Sequence, residues 1–222
     1  MANEKEKIAF FDFCETLVPF QSADRYIHYV CQHYGNTLVR VRYTFWRLAD
    51  KIHFIRFVKK IAHITIDNKI WMLHLCKGLS FDTMQLAAEE FYEKEIVPNL
   101  IHETTDRLHE LQKEGWRIVL ISGGYDIYLR MFAKEQGISI NDVICSKLQF
   151  KRGVFTGKME GIDCMGENKI ELLEQHFDRI KIESQVYTDS ITDMPLLQWV
   201  DKGIVVRRKH WAEANNFEQI IW

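Results

Sequence analysis

The chain has 222 residues, 47% of them hydrophobic and 27% charged, enough for one substantial core and too apolar for a disordered polymer. A net charge of -2 gives no reason to expect a nucleic-acid binder, so any basic feature must be local. Cys14, Cys31, Cys76, Cys145 and Cys164 are odd in number and form no CxxC pair, which argues against a disulfide framework or structural zinc and suits a reducing compartment. With a hydrophilic N-terminus and no apolar run of spanning length, a cytoplasmic protein is expected.

In chain order, residues 8–13 form a short apolar run around one acid, Asp12, and predict a strand buried on both faces. From about Phe20 to Val97 strand signal nearly vanishes. Residues 23–33, 41–64 and 80–96 instead predict amphipathic helices, the last opened by Ser80 or Asp82 with Leu86, Ala87, Glu90 and Phe91 at helical spacing. Pro19 and Pro98 bracket this stretch, giving a helical insert at 19–96 within a core made of 1–18 and 97–222. Further strands are expected at 116–121, 185–188 and 203–206, with helices at 126–136, ending at Gly137, and at 168–177. Strands alternating with helices mean a parallel sheet. Residues 147–157 read as a hairpin turning at Arg152-Gly153, at the sheet edge or beside the site.

In parallel sheets, chemistry collects beyond the carboxyl ends of strands, and four polar clusters fall at suitable places. Asp12, opening Asp12-Phe13-Cys14-Glu15-Thr16-Leu17, is a carboxylate able to attack phosphorus and form an aspartyl-phosphate. Ser122-Gly123-Gly124 follows the second strand and is expected to open a helix, where a hydroxyl and backbone N–H groups bind anions. Gly166-Glu167-Asn168-Lys169 starts a helix with a lysine that can neutralise phosphate and nucleophile. Thr188-Asp189-Ser190-Ile191-Thr192-Asp193 places two carboxylates past a strand, suited to Mg²⁺. Asp12, the main-chain carbonyl of Cys14 and Asp189 would make an open magnesium site, with Asp193 holding a coordinated water or Lys169.

These clusters, in this order and spacing, resemble the haloacid dehalogenase superfamily in its phosphoserine-phosphatase-like branch, over nearly the whole chain. The resemblance implies an α/β fold, a Rossmann-like parallel-sheet core with an inserted α-helical cap of the C1 type. It implies a Mg²⁺-dependent phosphatase for a small phosphorylated metabolite, with the substrate selected by the cap and no nucleic-acid partner. Thr16 would shape the turn and hold phosphate, with Ser122, Gly123 and Lys169 binding the rest. Phosphatases of this family usually carry an aspartate two residues after the nucleophile, as acid and then base; Cys14 stands there instead. Slow hydrolysis, phosphotransfer or phospholigand binding without catalysis therefore remain as alternatives. The stretch Val18-Pro19-Phe20-Gln21 lacks the acid that would grip an amino acid, so phosphoserine is not implied.

Glu15 is expected to point away from the site, and Lys158 competes with Lys169 for the lysine role. Residues 38–64 concentrate Arg40, Arg42, Arg47, Lys51, Arg56, Lys59 and Lys60 against Asp50 alone, interleaved with Tyr43, Phe45, Trp46, Phe54 and Phe57. The plain expectation is a helix with its apolar face on its neighbours and a solvated basic face. A basic lid over an anionic substrate, or contact with a membrane surface bearing a phosphorylated lipid, are the sharper alternatives. The histidines, His28, His33, His53 and His63 among them, show no metal-ligand grouping.

Overall fold

The computed structural model describes residues 5–51, 68–208 and 216–222. Strand β1 (Glu6–Phe11) is central, and its apolar run follows from burial on both faces. Ile8 and Phe10 pack with Val119, Ile121, Val186 and Leu196 on one side. Ala9 and Phe11 pack with Leu120, Tyr187 and Ile204 on the other.

The other strands are β2 (Arg117–Tyr125), β3 (Val143–Lys151), β4 (Val154–Glu160), β5 (Ile182–Thr188), β6 (Lys202–Arg207) and β7 (Glu218–Ile221). Their order is β4-β3-β2-β1-β5-β6-β7. Neighbours are parallel except β3 and β4, which pair antiparallel. The chain thus builds outward through β2 and β3, then returns to lay β5 on the opposite side of β1. That reversal opens a crevice at the carboxyl ends of β1 and β5, where open α/β sheets bind ligands. The expected hairpin is β3–β4, with Arg152 at φ 50° and Gly153 at φ 74° supplying the left-handed turn; β4 is the sheet edge.

The described residues between β1 and β2 are helical. They comprise α1 (Ser22–Tyr29) continuing into a π turn (Val30–Tyr34), α2 (Thr37–Lys51), α3 (Asn68–Leu75) and α4 (Phe81–Phe91), with a second π turn at Tyr92–Ile96. Ser80 is the α4 cap, its hydroxyl accepting from the Thr83 N–H at 3.1 Å. Entry and exit of this segment are stapled together: the Ile101 N–H donates to the Leu17 carbonyl at 2.9 Å, and the Thr104 hydroxyl to the Thr16 carbonyl at 2.6 Å. After it come α5 (His102–Lys113), α6 (Asp126–Glu135), α7 (Asn168–Glu174) and α8 (Met194–Trp199).

Several expectations are corrected. Ser122, Gly123 and Gly124 do not open a helix; they lie within β2, which runs on to Tyr125 before α6 starts. The β2–β3 register skips between Ser122 and Tyr125, so the two glycines form a bulge that delays the helix. Helix α7 ends at Glu174, three residues short of the expected Phe177. On α2, Val39 and Tyr43 are buried and Trp46 half-buried, yet Leu38, Val41, Phe45 and Leu48 are exposed. Its exposed face is therefore apolar as well as basic, because apolar residues occupy both sides of the helix and one side packs among the described residues. Arg56, Lys59, Lys60, Phe54, Phe57, His53 and His63 lie outside the described residues. All five cysteines are free and buried. Among the described residues no helix is long and apolar enough to cross a membrane.

Candidate active site

Asp12 is the first residue beyond β1, and its N–H continues the pairing with β5 by donating to the Tyr187 carbonyl at 2.9 Å. The side chain enters the crevice, where the Phe13 backbone and the Ser122 side chain favour its charged form. Lys169, in the first turn of α7, is buried with its ammonium 3.3 Å from Asp12 Oδ1 and 2.6 Å from Asp193 Oδ2. The same Asp193 oxygen accepts from the Thr188 hydroxyl at 2.6 Å. Asp189 follows β5 directly and is 8% exposed.

Burial of so many charges sets the electrostatics. Desolvation raises the Asp12 carboxyl above its ordinary 3.8, against the pull of Lys169. Burial works against the Lys169 charge, but Asp12 and Asp193 outweigh it and hold the ammonium above its ordinary 10.5. Asp189 is pushed up to about 8, first by burial and then by Asp12 and Glu15. Glu15, expected to point away, thus bears on Asp189, at a backbone φ of 54°.

Cys14 lines the pocket from the turn after Asp12. Its sulfur accepts the Ser22 N–H at 3.3 Å and lies 3.1 Å from the Ser22 hydroxyl. That hydroxyl is 2.8 Å from the Tyr128 phenol, which accepts the Tyr125 N–H at 3.0 Å. Gly124 makes room for this chain: a Cβ there would stand 2.8 Å from the Tyr128 oxygen and 3.3 Å from the Ser22 oxygen. Burial, then the Asp12 charge, push the Cys14 thiol up to about 11. The thiol is therefore protonated at neutral pH.

Asp12, Cys14, Ser122, Gly123, Lys169, Asp189 and Asp193 line one cavity of about 200 Å³. Thr16 does not join them: it is fully buried behind the turn, its hydroxyl without a hydrogen-bond partner among the described residues. Lys158 is exposed on β4 and is not part of the cavity lining.

Sequence reasoning missed Lys69. It reaches from α3 into the cavity wall, donating to the Gly123 carbonyl at 2.7 Å, to Asp163 at 2.5 Å and to the Ser146 hydroxyl at 3.3 Å. Its one sequence signal was a lone cation in an apolar helix, since a buried lysine must be paired. Ser22 and Tyr128, 106 positions apart, carried none.

The donor set fits magnesium. Asp12 and Asp189 offer hard oxygens to one cavity, and the raised Asp189 marks an excess of negative charge that a cation would relieve. Among the described residues no three acidic, histidine or cysteine side chains gather as a metal cluster. Magnesium, which keeps several waters, does not require one.

Residues 9–198 match the haloacid dehalogenase-like hydrolase family. A phosphoserine phosphatase of Methanocaldococcus jannaschii is 26% identical over 174 residues, 78% of this chain and 71% of that protein. A phosphoserine phosphatase of Lactococcus lactis is 29% identical over 113 residues, 50% of this chain; the match spans only about half (51%) of that protein's length. In solved structures, a Bordetella pertussis Tohama I protein of unknown function superposes with a TM-score of 0.79 at 21% identity, covering 97% of this chain and 98% of its own. A phospho-aspartyl intermediate analogue of phosphoserine phosphatase superposes at 0.61 with 17% identity, covering 98% and 94% respectively. At these identities the superpositions speak for the fold.

Proposed function

The chain belongs to the haloacid dehalogenase-like hydrolases, and we propose that it is a magnesium-dependent phosphatase that hydrolyses a small phosphomonoester through an aspartyl-phosphate on Asp12. The observation carrying this reading is the buried Asp12–Lys169–Asp193 array in one cavity with Ser122, Cys14 and Asp189. Buried charge is retained where chemistry requires it, and a desolvated carboxylate beside a held ammonium is a nucleophile prepared for an anionic substrate. We take residues 19–96 as the cap and residues 1–18 with 97–222 as the core.

In the first step an Asp12 carboxylate oxygen forms a bond to phosphorus while the bond from phosphorus to the substrate's ester oxygen breaks. Lys169 stays charged and offsets the negative charge gathered between Asp12 and the phosphoryl oxygens. Ser122, whose oxygen accepts the Gly124 N–H, donates its hydroxyl hydrogen to the phosphate together with the Gly123 backbone N–H. Asp193 and Thr188 act on Lys169 by fixing its position rather than by meeting the metal. Asp12 and Asp189, with the Cys14 carbonyl, would hold Mg²⁺, which when bound neutralises phosphoryl oxygens.

Cys14 supplies the proton. With the Tyr125 N–H donated to the Tyr128 oxygen, the phenol O–H donates a hydrogen bond to the Ser22 oxygen and the Ser22 O–H donates one to the sulfur, leaving the thiol's own hydrogen directed at the cavity. It protonates the leaving oxygen and becomes a thiolate. In the second step the thiolate takes a proton from water as water's oxygen attacks phosphorus and the Asp12–phosphorus bond breaks. A thiol at about 11, next to Asp12, gives up its proton reluctantly, so this enzyme is slow or favours esters with good leaving groups.

The test is phosphate release from a panel of phosphomonoesters with Mg²⁺, comparing wild type, Asp12→Asn and Cys14→Asp. Release by wild type that disappears in Asp12→Asn is expected, with Cys14→Asp faster. Equal release by wild type and Asp12→Asn would refute the mechanism. No release by wild type but clear release by Cys14→Asp would mean an intact site kept for phosphotransfer or ligand binding.

A further inference from the structure

Helix α2 has two apolar faces, and one of them packs against other described residues while the other is exposed. Val39, Tyr43 and Trp46 turn toward α1, where the Tyr43 hydroxyl accepts from Gln32 and lies 3.0 Å from His28 Nδ1. Leu38, Val41, Phe45 and Leu48 are 55%, 50%, 71% and 58% exposed. At 100° per residue these four fall within an arc of about 80°, centred about 150° from the buried face. They form a straight ridge about 15 Å long. Arg40 and Lys51 stand along one side of the ridge and Arg42 along the other, while Arg47 lies nearer the buried face, over the Tyr43 ring. Asp50 is the only acid on the helix. Helix α3, which packs against α2, also exposes Ile70 and Trp71, at 45% and 50%.

We propose that this ridge docks on an anionic lipid bilayer, with the four apolar side chains entering the headgroup layer and the flanking cations meeting lipid phosphates. An apolar stripe between rows of cations, with little acid, matches the way a helix lies in a membrane interface. A second copy of the chain is the rival occupant, since the 3-4-3 spacing from Leu38 to Leu48 is that of a coiled-coil seam. The charges oppose it: the seam is bordered by Arg42, Thr44, Ala49 and Lys51, and with Asp50 the one acid on the helix a second copy would offer these cations no carboxylate to pair with. Docking here does not depend on the hydrolytic reading and concerns residues outside the catalytic cavity.

The experiment is sedimentation of the full chain with phosphatidylcholine vesicles, with and without about one third phosphatidylglycerol. Wild type is compared with Phe45→Gln/Leu48→Gln and Arg40→Gln/Lys51→Gln, each checked for an unchanged melting curve. We expect wild type to sediment with the anionic vesicles at low salt and to be released as salt rises. The apolar double variant should lose at least about 10-fold in partitioning. Each cation removed should weaken binding about fivefold. Absence of binding to anionic vesicles at low salt overturns the proposal, as does binding unchanged by Phe45→Gln/Leu48→Gln. A wild-type dimer that ignores vesicles but dissociates in that variant would overturn it in favour of self-association.

Discussion

The crevice at the end of β1 and the outer face of α2 break the ordinary rule of burial in opposite directions. One hides an ammonium and three carboxylates; the other shows four large apolar side chains to solvent. Lys169 is partnered with Asp12 and Asp193, and Asp193 with Thr188, while Asp189 carries the excess negative charge that a cation would relieve. The exposed apolar residues have no such partners within the described chain's core clusters. The first exception is balanced within the fold but for one carboxylate and suits catalysis within a fixed frame, whereas an exposed apolar face is complete only against something else.

Substitutions separate the two regions. Asp12→Asn should lower phosphate release at least about 10⁴-fold while leaving the fold intact, measured by steady-state release and circular dichroism. Lys169→Met should cost about 10²–10³-fold in turnover. It should also cost about 3–5 kcal/mol in stability, since Asp12 and Asp193 are left buried without their cation. An unchanged urea midpoint would show that the acids simply take up protons, and would weaken the claim that the charges are held for function. Cys14→Asp should raise turnover about 10²-fold, the gain expected from a better-matched acid and base.

A pH series reads the same electrostatics. The folded-state Asp189, at about 8, lies above its ordinary 3.8, so its contribution to stability is full below about 4 and is lost as pH rises through 8. The metal-free protein should therefore melt at falling temperatures between those limits. Mg²⁺ should raise the melting temperature more at pH 8 than at pH 5, and Asp189→Asn should flatten both trends. The smallest effect belongs to α2: Phe45→Gln/Leu48→Gln should shift unfolding free energy by no more than about 0.5 kcal/mol per site, checked by urea melts. A larger loss would mean that the ridge is packed in the native protein and would erase the contrast between the regions.

The legible and illegible parts of the sequence divide along the same physical lines. Asp12, Cys14, Lys169 and Asp189 were readable because each lies at or just beyond an element end, and runs of apolar residues followed by polar ones mark such ends. The hairpin was readable from Arg152-Gly153, because the left-handed turn leaves a local signature. Lys69 was not, because its partners Gly123, Ser146 and Asp163 come from distant segments. The bulge at Gly123-Gly124 was misread as a helix start, since glycines after a strand serve both structures. On α2 the sequence displayed apolar residues on two faces but held no information on which face would be covered.

Lys69 also places a condition on kinetics. Any motion that lifts α3 from the sheet must draw this ammonium away from Asp163, Ser146 and the Gly123 carbonyl, and water must replace it there before the next closure. Were substrate to enter by such a motion, its admission would include breaking a buried ionic contact, independent of how quickly Asp12 reacts. Such a contact would make opening steeply temperature-dependent and sensitive to solvent viscosity, a signature that belongs to entry and release and is separable from the slow proton transfer at Cys14.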